Sequence, residues 1–492
     1  VGIGASAGGL EAIEAFIKNM PPKNGLAYIL IQHLSPDYKS LMVELLSKRT
    51  EMPVYRAEDG MAVEADAIYL IPRKKILKIF HGKLLLSEPE RSRSGIFLPI
   101  DIFLRSLADD QADKAIGVIL SGTGSDGMRG VRAIKESGGM VMVQDEATAK
   151  FDGMPRSAIS TGLADFILPP EEMPGQLLAF VKHPEQIRSA RSDTILTDGD
   201  GLTRIFSLLR DRHKIDFTYY KPTTVVRRIE RRMTVNHINF LSDYVKYLES
   251  YPRELSILYR ELLIGVTSFF RDKEAFDLLT QNYLPKLLTQ SDSRLLRFWV
   301  AGCSTGEEAY TLAIACKECL ENLNLNRDIK IFATDVDNDA VIHAGNGVYP
   351  ESIAADLSPA YLSKYFIRRD ESFQISRSIR EMVVFAQHNL IKDPPFTNID
   401  LITCRNLLIY FQPVLQRKVL DYFTFSINPK GLLFLGHSET TGEMAEYFEP
   451  LSHKWKIYRS LNKRREFSPE LEISKTRYAP GRLTRPNFLG PQ

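Results

Sequence analysis

Short apolar runs alternate with amphipathic segments over the first 180 or so residues of the chain. The runs have the length of buried strands, and they are VGIG, LAYILIQH, AIGVILS and GMVMVQD. The segments after the first three runs repeat apolar positions at helical spacing, and they are GLEAIEAFIKNM, YKSLMVELLSKR and MRGVRAIKES. Strands that alternate with helices predict an α/β domain whose site lies beyond the carboxyl ends of the strands.

The pattern changes further along the chain. Residues 200–265 keep helical periodicity without convincing strands, and a second alternation follows in LLRFWVAGC, IKIFATDVD, IDLITCRN and GLLFLGHS. Residues 347–385 interrupt this second alternation and predict a small β-containing subdomain. The predicted fold class is therefore α/β, with two doubly wound, mostly parallel α/β domains. The second domain is preceded by a small all-helical domain and carries the insert.

These shifts divide the chain into five predicted segments. They are 1–185 as the first α/β domain, 186–200 as a polar linker, 201–270 as the helical domain, 271–462 as the second α/β domain with its insert, and 463–492 as a charged, proline-rich tail. We expect the tail to be poorly ordered. Because the chain begins within a predicted strand and without a methionine, we expect it to be part of a longer polypeptide.

Composition limits the function without defining it. The chain has 492 residues, of which 44% are hydrophobic and 25% charged, as in soluble globular proteins. Its formal net charge of +2 gives no overall attraction to nucleic acid. No apolar run approaches the ~20 residues of a membrane-spanning helix, and the four cysteines show no disulfide framework. We expect a cytoplasmic protein without membrane insertion, nucleic-acid partner or metal.

The first strand–helix junction, VGIGASAGGLEAI, fits two interpretations. Its glycines and alanine match a G-x-G-x-x-A dinucleotide fingerprint, which also needs an acidic residue at the end of the second strand. That strand ends in His33 instead, which counts against a dinucleotide. The same turn places Ser6 at a strand end, and the strand AIGVILS leads to Asp126. Three strand ends thus supply the serine, base and carboxylate of a hydrolase triad, and the helix after Ser6 offers N–H groups to an oxyanion.

These residues lie in motifs that resemble the catalytic domain of chemotaxis receptor methylesterases of the CheB type. The motifs are IGASAGG, IQHLSPD, SGTGSDGMRG and FDGMPRSAI, within residues 1–185. The resemblance implies hydrolysis of glutamyl methyl esters on chemoreceptors, with Ser6 as nucleophile, His33 as base and Asp126 as its orienting residue. It also implies deamidation of receptor glutamines. Many such esterases have Thr at the position of Ala7 and Met at that of Thr123, and these departures bear on rate and substrate detail.

A second site is predicted by the strand, loop and helix of LLRFWVAGCSTGEEAYTLAIA. The next strand ends in Asp335, where a carboxylate can hold a ribose. The loop lacks the lysine of a P-loop, which disfavours ATP, and Glu308 at the helix start would repel a pyrophosphate. The pattern favours an adenosine cofactor without phosphates, and S-adenosyl-L-methionine (SAM) fits best.

The second half of the chain resembles chemotaxis receptor methyltransferases of the CheR type. The motifs that carry the resemblance, within residues 195–460, are GVTSFFRD, AGCSTGEEAY, ATDVD, HNL, CRNLLIYF and GHSE. It implies that SAM contacts Thr267, Arg271, Glu308, Asp335, Asn389, Leu390, Arg405 and Asn406. Arg271 and Arg405 would position carboxylates and Tyr410 would line the methyl-transfer pocket, so these three are the candidate catalytic residues. The family often has Asn at the position of Gly265, where this chain lacks a polar side chain.

Two surface features bear on the partner. A basic stripe of Arg227, Arg228, Arg231 and Arg232 on one predicted helix is either a solvated face or a dock for an acidic partner. In the methyltransferase family, the corresponding helical domain faces the receptor helix that is modified. Some members also bind a receptor's C-terminal peptide through a glycine-containing loop of the insert. The stretch IRRDESFQISRSIR has no glycine, so we expect no dependence on that tether.

The two resemblances together imply a bifunctional enzyme that adds and removes one methyl group on glutamates of chemoreceptor cytoplasmic helices. Two alternatives remain open, namely a signalling scaffold with one or both sites silent, and a nucleic-acid methyltransferase fused to an unrelated hydrolase. The charge balance disfavours the latter. Because both activities together would convert SAM into methanol, we expect them to be regulated apart, by oligomerisation or by flanking domains. The sequence does not define the oligomeric state.

Overall fold

A computed structural model describes residues 1–32, 42–89, 97–181, 195, 198–263, 265–290 and 295–461. His33, most of the predicted linker 186–200 and the predicted tail 463–492 lie outside these residues. The role of His33, the disorder of the tail and the five segment boundaries therefore remain predictions.

A parallel sheet organises the first 181 residues. The strands of this part are β1 (Gly2–Ala5), β2 (Ala27–Gln32), β3 (Val54–Arg56), β4 (Met61–Ala62), β5 (Ala67–Leu70), β6 (Ile76–Phe80), β7 (Lys83–Ser87), β8 (Ile116–Ile119), β9 (Met140–Gln144) and β10 (Phe166–Leu168). Its helices are α1 (Gly9–Lys18), α2 (Met42–Ser47), α3 (Pro99–Gln111), α4 (Met128–Glu136), α5 (Gly153–Ser160) and α6 (Met173–Val181). Seven strands pair in parallel in the order β10-β9-β8-β1-β2-β5-β3.

Helices cover both faces of this sheet. Alternate residues of each strand point to opposite faces, so Ile3 of β1 joins a core with α1 and α6, while Ile29 and Ile31 of β2 join a second core with α3, α4 and α5. The predicted doubly wound parallel domain is confirmed. Strands β4, β7 and β6 form an additional antiparallel sheet that the pattern did not predict.

Four helices follow, as the periodicity of residues 200–265 predicted. They are α7 (Gly199–His213), α8 (Pro222–Val235), α9 (Leu241–Ser250) and α10 (Pro252–Leu262). Their apolar faces pack together and against the second sheet, since Ile229 of α8 and Leu258 of α10 share one core with Trp299 and Ile402. The all-helical domain therefore has no separate core of its own.

A second, mostly parallel sheet runs in the order β16-β12-β11-β17-β18-β20-β19, in which β20 pairs antiparallel with both β18 and β19. The strands are β11 (Leu295–Ala301), β12 (Asp328–Asp335), β13 (Val348–Pro350), β14 (Phe366–Arg369), β15 (Ser372–Ile375), β16 (Val383–Gln387), β17 (Ile399–Cys404), β18 (Ile427–Leu435), β19 (Phe448–Ser452) and β20 (Ile457–Ser460). The helices are α11 (Lys273–Leu278), α12 (Leu284–Gln290), α13 (Glu307–Asn322), α14 (Asn338–Asn346), α15 (Pro359–Tyr365), α16 (Arg377–Arg380) and α17 (Pro413–Ser426). Strands β13, β15 and β14 form the predicted insert, and the main sheet resumes at Val383.

All four cysteines are buried and unpaired, as the lack of a disulfide framework predicted. Within the part of the chain that the structure describes, no helix combines the length and apolar character needed to cross a bilayer.

Candidate active sites

Ser6 lies in the turn between β1 and α1, where the sequence placed it. Its N–H donates to the Ser121 carbonyl beyond the neighbouring strand β8, and its own carbonyl accepts from the Gly9 N–H, both at 3.0 Å. Gly8 has a φ of +69°, and a Cβ there would stand 2.9 Å from the Ser121 hydroxyl, so the sharp turn requires glycine. The N-cap residue of α1 is Gly8, which has no side chain to cap the helix, so the turn suits a nucleophile beside helix N–H groups.

The three strands that carry the predicted triad are neighbours in the sheet. Strand β1 pairs with β8 through Gly4 and Ile119, and with β2 through Ala5 and Gln32. Their carboxyl ends therefore meet at one edge. His33 follows β2 but lies outside the described residues.

Asp126 is buried, and its carboxylate accepts the N–H groups of Ile100 (3.1 Å) and Asp101 (2.9 Å) at the start of α3. These hydrogen bonds fix its orientation. Sequence reasoning missed Asp101, which is also buried and accepts the Gly130 N–H at 2.8 Å. Burial and the neighbouring Asp126 carboxylate raise the pKa of Asp101. The raised pKa favours the neutral form of Asp101, which avoids two adjacent negative charges. The position of Asp101 in the first turn of a helix did not predict its burial beside Asp126.

A cavity of about 490 Å³ lies at the carboxyl ends of β11 and β12. Seven residues predicted for the second site line it, namely Thr267, Arg271, Glu308, Asp335, Arg405, Asn406 and Tyr410. Two others do not line it. Leu390 is buried in the core. Asn389 forms a local turn, in which its N–H donates to the Asp393 carboxylate (2.7 Å) and its side-chain oxygen accepts the Ile391 N–H (2.9 Å). Their contact with SAM stays a prediction.

The loop after β11 fits an adenosine cofactor. The Asp335 carboxylate accepts the N–H groups of Ser304 (2.8 Å) and Asp337 (3.0 Å), and each oxygen keeps capacity for a ribose hydroxyl. Burial raises the pKa of Asp335, an effect that these N–H groups oppose. Gly302 has a φ of +80°, and a Cβ there would stand 2.8 Å from Leu407. The left-handed conformation and the nearby Leu407 side chain therefore favour glycine at this position of the loop.

Ser304 occupies the space beside Gly265. A Cβ at Gly265 would stand 2.5 Å from the Ser304 hydroxyl, which itself lies 3.3 Å from the Gly265 carbonyl. The space of a side chain at position 265 is thus filled by another polar group, which lines the same cavity.

Arg405 is buried, and both terminal nitrogens of its guanidinium have partners. Its side chain is 1% exposed. Its partners are the Asp272 carboxylate (2.7 Å), the Glu308 carboxylate (3.2 Å), the Arg271 carbonyl (3.1 Å) and the rings of Phe276 and Phe434. Glu308 also accepts the Thr403 hydroxyl at 2.7 Å. Arg405 therefore holds Glu308 and the Arg271 backbone in place, and its contact with SAM or with a reacting carboxylate stays a prediction.

Glu439 is a buried residue of the site whose role sequence reasoning missed. Its carboxylate accepts the N–H groups of Asn406 (3.1 Å), Leu407 (2.8 Å), Leu408 (2.7 Å) and Gly436 (2.7 Å). It fixes the loop that leads to Tyr410. The motif GHSE, which contains Glu439, was the available signal.

Arg271 and Tyr410 face the first α/β domain across the cavity. Arg271 donates to the Val266 carbonyl (2.6 Å), and another guanidinium nitrogen lies 3.6 Å from the Glu136 carboxylate at the end of α4. Burial, and then Glu136, raise the pKa of Tyr410. Arg129 and Arg132 of α4 also line the cavity. This cavity is thus bounded by both halves of the chain, which no local pattern indicated.

The basic stripe on α8 is neither a solvated face nor a free docking surface, and both interpretations were wrong. Arg227 is exposed, whereas Arg228, Arg231 and Arg232 are at most 8% exposed. The ion pairs join Arg231 to Asp165 (2.5 Å) and Glu261 (3.2 Å), and Arg232 to Glu254 (2.8 Å). Asp165 belongs to the first domain, so the stripe is covered by another part of the same chain.

The folds and sites define a chain that combines a serine-hydrolase type of domain with a SAM-dependent methyltransferase type of domain. Residues 1–177 match the CheB methylesterase family. Residues 200–263 match the all-alpha domain of CheR methyltransferases, and residues 265–457 match their SAM-binding domain.

Individual relatives agree with these matches. A chemotaxis protein methyltransferase of Borreliella burgdorferi is 31% identical over 266 residues, which are 52% of this chain and 94% of that protein. The CheB methylesterase catalytic domain of Thermotoga maritima is 31% identical, with a TM-score of 0.34, and the match covers 36% of this chain and 95% of that one. The chain therefore belongs to the CheR family of chemotaxis protein methyltransferases and carries a CheB methylesterase domain in the same polypeptide.

One relative extends across both parts. An uncharacterized 104.1 kDa protein of Rhodobacter capsulatus is 41% identical over 443 residues, which are 85% of this chain. The match covers 46% of that protein, so the chain spans about half the length of this relative.

Proposed function

We propose that this protein methylates glutamates on the cytoplasmic helices of chemoreceptors and hydrolyses the resulting methyl esters, in the cytoplasm. One observation carries the proposal, namely that one chain holds both constellations. Ser6 and Asp126 follow adjacent strands within the CheB match, and Arg271, Asp335 and Tyr410 line one cavity within the CheR match.

Methyl transfer to a glutamate requires positioning rather than proton removal. The acceptor carboxyl has a pKa of about 4.3, so it is already ionised at neutral pH. Bound SAM supplies an electrophilic methyl group on a sulfonium. Asp335 holds the ribose, Arg271 orients the acceptor carboxylate, and Tyr410 excludes water from the reacting atoms. Glu308 and Arg405 keep this wall of the cavity in place.

Ester hydrolysis proceeds on the edge of the first sheet. The Ser6 hydroxyl attacks the ester carbonyl as His33 takes its proton, and methanol leaves with that proton. Water then attacks the acyl-enzyme and regenerates Ser6 and the free glutamate. Asp126, fixed by the first turn of α3, orients the base, and the N–H groups at the start of α1 stabilise the oxyanion. A receptor glutamine would be deamidated by the same steps, with ammonia as the leaving group.

Labelled SAM tests both activities in one experiment. A chemoreceptor fragment is incubated with the chain and methyl-labelled SAM, and the retained label is compared with that given by Ser6→Ala and Asp335→Ala. We expect Ser6→Ala to retain more label and Asp335→Ala to retain almost none. If Ser6→Ala retains no more label than the native chain, the proposed esterase activity is contradicted. Absence of label from every variant would favour the signalling scaffold.

A further inference from the structure

Helix α4 of the esterase domain lies against the methyltransferase half. Arg129, Arg132 and Glu136 share one face of the helix, because they are spaced at i, i+3 and i+7. Each contacts a residue of opposite charge beyond position 265. The pairs are Arg129 with Asp356, Arg132 with Glu307 (3.6 Å) and Glu136 with Arg271 (3.6 Å). Arg129 and Arg132 of this face line the methyltransferase cavity, and Glu136 lies beside it, at Arg271.

Glu136 brings a carboxylate to the residues that would bind the acceptor. Its side chain is 39% exposed and that of Arg271 is 29% exposed, so the pair is accessible rather than a buried structural bridge. The same carboxylate acts on Tyr410, because Glu136 is the second cause, after burial, of the raised pKa of Tyr410. A helix that presents a glutamate to Arg271 and Tyr410 has the chemistry of the proposed substrate.

A buried cluster of charges holds α4 in this position. Lys135, next to Glu136, contacts Asp165 of its own domain (2.8 Å) and Glu261 of α10 (2.9 Å). Arg231 of α8 reaches the same two carboxylates, at 2.5 and 3.2 Å. At the other end of α4, the Ser125 hydroxyl accepts the N–H of Ser352 in the insert (3.2 Å). The helix is thus fixed at both ends.

We infer that α4 occupies the place of the receptor's acceptor helix, with Glu136 in the position of the acceptor carboxylate. The inference rests on the proposed function, because that function assigns the acceptor to Arg271 and Tyr410. Two packed helices need about 8–10 Å between their axes, so α4 and a receptor helix cannot occupy this face together. A receptor must displace α4, and the esterase domain therefore inhibits the methyltransferase in the arrangement seen here.

A reversible lock tests this inference. The 3.2 Å contact between the Ser125 Oγ and the Ser352 N limits the Cα–Cα distance to about 7 Å, near the upper end of the disulfide range. The full chain with Ser125→Cys and Ser352→Cys is oxidised, and its disulfide is verified by thiol titration. It is loaded with S-adenosylhomocysteine for receptor-fragment binding and with SAM for methyl transfer. Each single cysteine variant, treated identically, is the control.

The oxidised double variant should bind the receptor fragment and methylate it about ten-fold or more weakly than the reduced form. If the oxidised and reduced forms bind the receptor fragment equally and methylate it equally well, the inference is overturned and the proposed function stands. Binding that depends on the lock without transfer in either state would overturn the proposed catalysis and support the inference. Receptor binding in neither state would contradict both.

A second variant avoids any dependence on the disulfide. Glu136→Gln removes the charge that pairs with Arg271 and keeps the shape of the side chain. We expect the receptor fragment to bind about two- to five-fold more tightly, which is the scale of a half-exposed ion pair. Glu11→Gln is the matched control, because Glu11 forms an exposed pair with Lys150 (3.0 Å) in the same domain outside the cavity. Equal affinity of both variants and the native chain would contradict the assignment of Glu136.

Discussion

Asp126 and Glu136 stand at the two ends of helix α4, one just before its first residue and the other at its last. Asp126 is the candidate orienting residue of the esterase, and Glu136 lies 3.6 Å from Arg271 at the methyltransferase cavity. The nine residues between Met128 and Glu136 form a rod of about 13 Å. A displacement of this helix at one site therefore moves a residue at the other.

Arg405→Ala should destabilise the fold and weaken SAM binding together. The substitution leaves the Asp272 and Glu308 carboxylates without their guanidinium partner, and we expect the free energy of unfolding to fall by about 3 kcal/mol. Denaturant unfolding and calorimetric titration with S-adenosylhomocysteine measure the two effects. Arg417→Ala, which breaks an exposed pair with Glu443, should change stability by less than about 1 kcal/mol. Lost cofactor binding at unchanged stability would instead indicate direct contact with SAM.

Gly265→Asn should lower the affinity for S-adenosylhomocysteine, although the family often has Asn at this position. The new side chain would collide with the Ser304 hydroxyl, 2.5 Å from the site of its Cβ. Adding Ser304→Gly should restore the affinity, because the space is cleared and the φ of +47° at position 304 favours glycine. Titration calorimetry measures the affinity of both variants for S-adenosylhomocysteine. A single variant that binds as well as the native chain would show that the loop relaxes freely.

Lys135→Met should reduce the free energy of unfolding by about 3 kcal/mol at pH 7, since it removes a cation from a buried, charge-balanced cluster. Burial opposes ionisation of Asp165 and Glu261, but Arg231 and Lys135 hold the pKa of each below its ordinary value. A lowered carboxyl pKa stabilises the fold above the unfolded pKa, and this contribution is lost as pH falls through the folded pKa.

The difference between Lys135→Met and the native chain should therefore shrink below about pH 4. Denaturant titrations at several pH values give the comparison. Lys364→Met, which breaks an exposed pair with Glu318, should show a small difference at each pH. A pH-independent loss for Lys135→Met would mean that packing rather than charge accounts for it.

Asp101→Asn should stabilise the protein increasingly as pH rises from 5 to 8. Burial and Asp126 raise the pKa of Asp101, so its contribution to stability is complete below the unfolded pKa and is lost as pH rises through the folded pKa. Asn keeps an acceptor for the Gly130 N–H and carries no charge. We expect a gain of about 2–3 kcal/mol in unfolding free energy at pH 8 relative to pH 5, because the pKa of Asp101 is raised to about 7. Asp109→Asn, exposed on the same helix, should show no such trend.

Methylation should not require the receptor's C-terminal peptide. Strands β14 and β15 of the insert are joined by a turn of two residues, Asp370 and Glu371, which leaves no glycine-containing loop between them. Initial rates on receptor fragments with and without the peptide should agree. A several-fold lower rate on the truncated fragment would contradict this expectation.

Local patterns predicted much of the fold and of the two sites. Gly2–Ala5, Ala27–Gln32 and Ile116–Ile119 form neighbouring strands, as their apolar runs indicated, and Asp335 ends its strand beside the cavity. These features depend on residues close together in the chain. The burial of Arg231 depends instead on Asp165, 66 positions away, and on how the two domains dock.

The same limit applies to residues whose role arises from distant contacts. Arg405 matched a family motif, but its confinement between Phe276 and Phe434 requires elements brought together by folding. Glu136 carries no motif, and it became relevant only through its distance from Arg271. Periodicity contains no information on such pairings.

The ion-paired charges of the seam between the domains balance on each side. The esterase side contributes Lys135 and Asp165, one cation and one anion, while the helical side contributes Arg231, Arg232, Glu254 and Glu261, two of each. If the halves part, the paired charges of each side can pair within that side and accept water, while Arg228 keeps its bond to the Glu261 carbonyl. A joint made of ion pairs rather than of apolar side chains is thus compatible with the separation that the proposed inhibition requires.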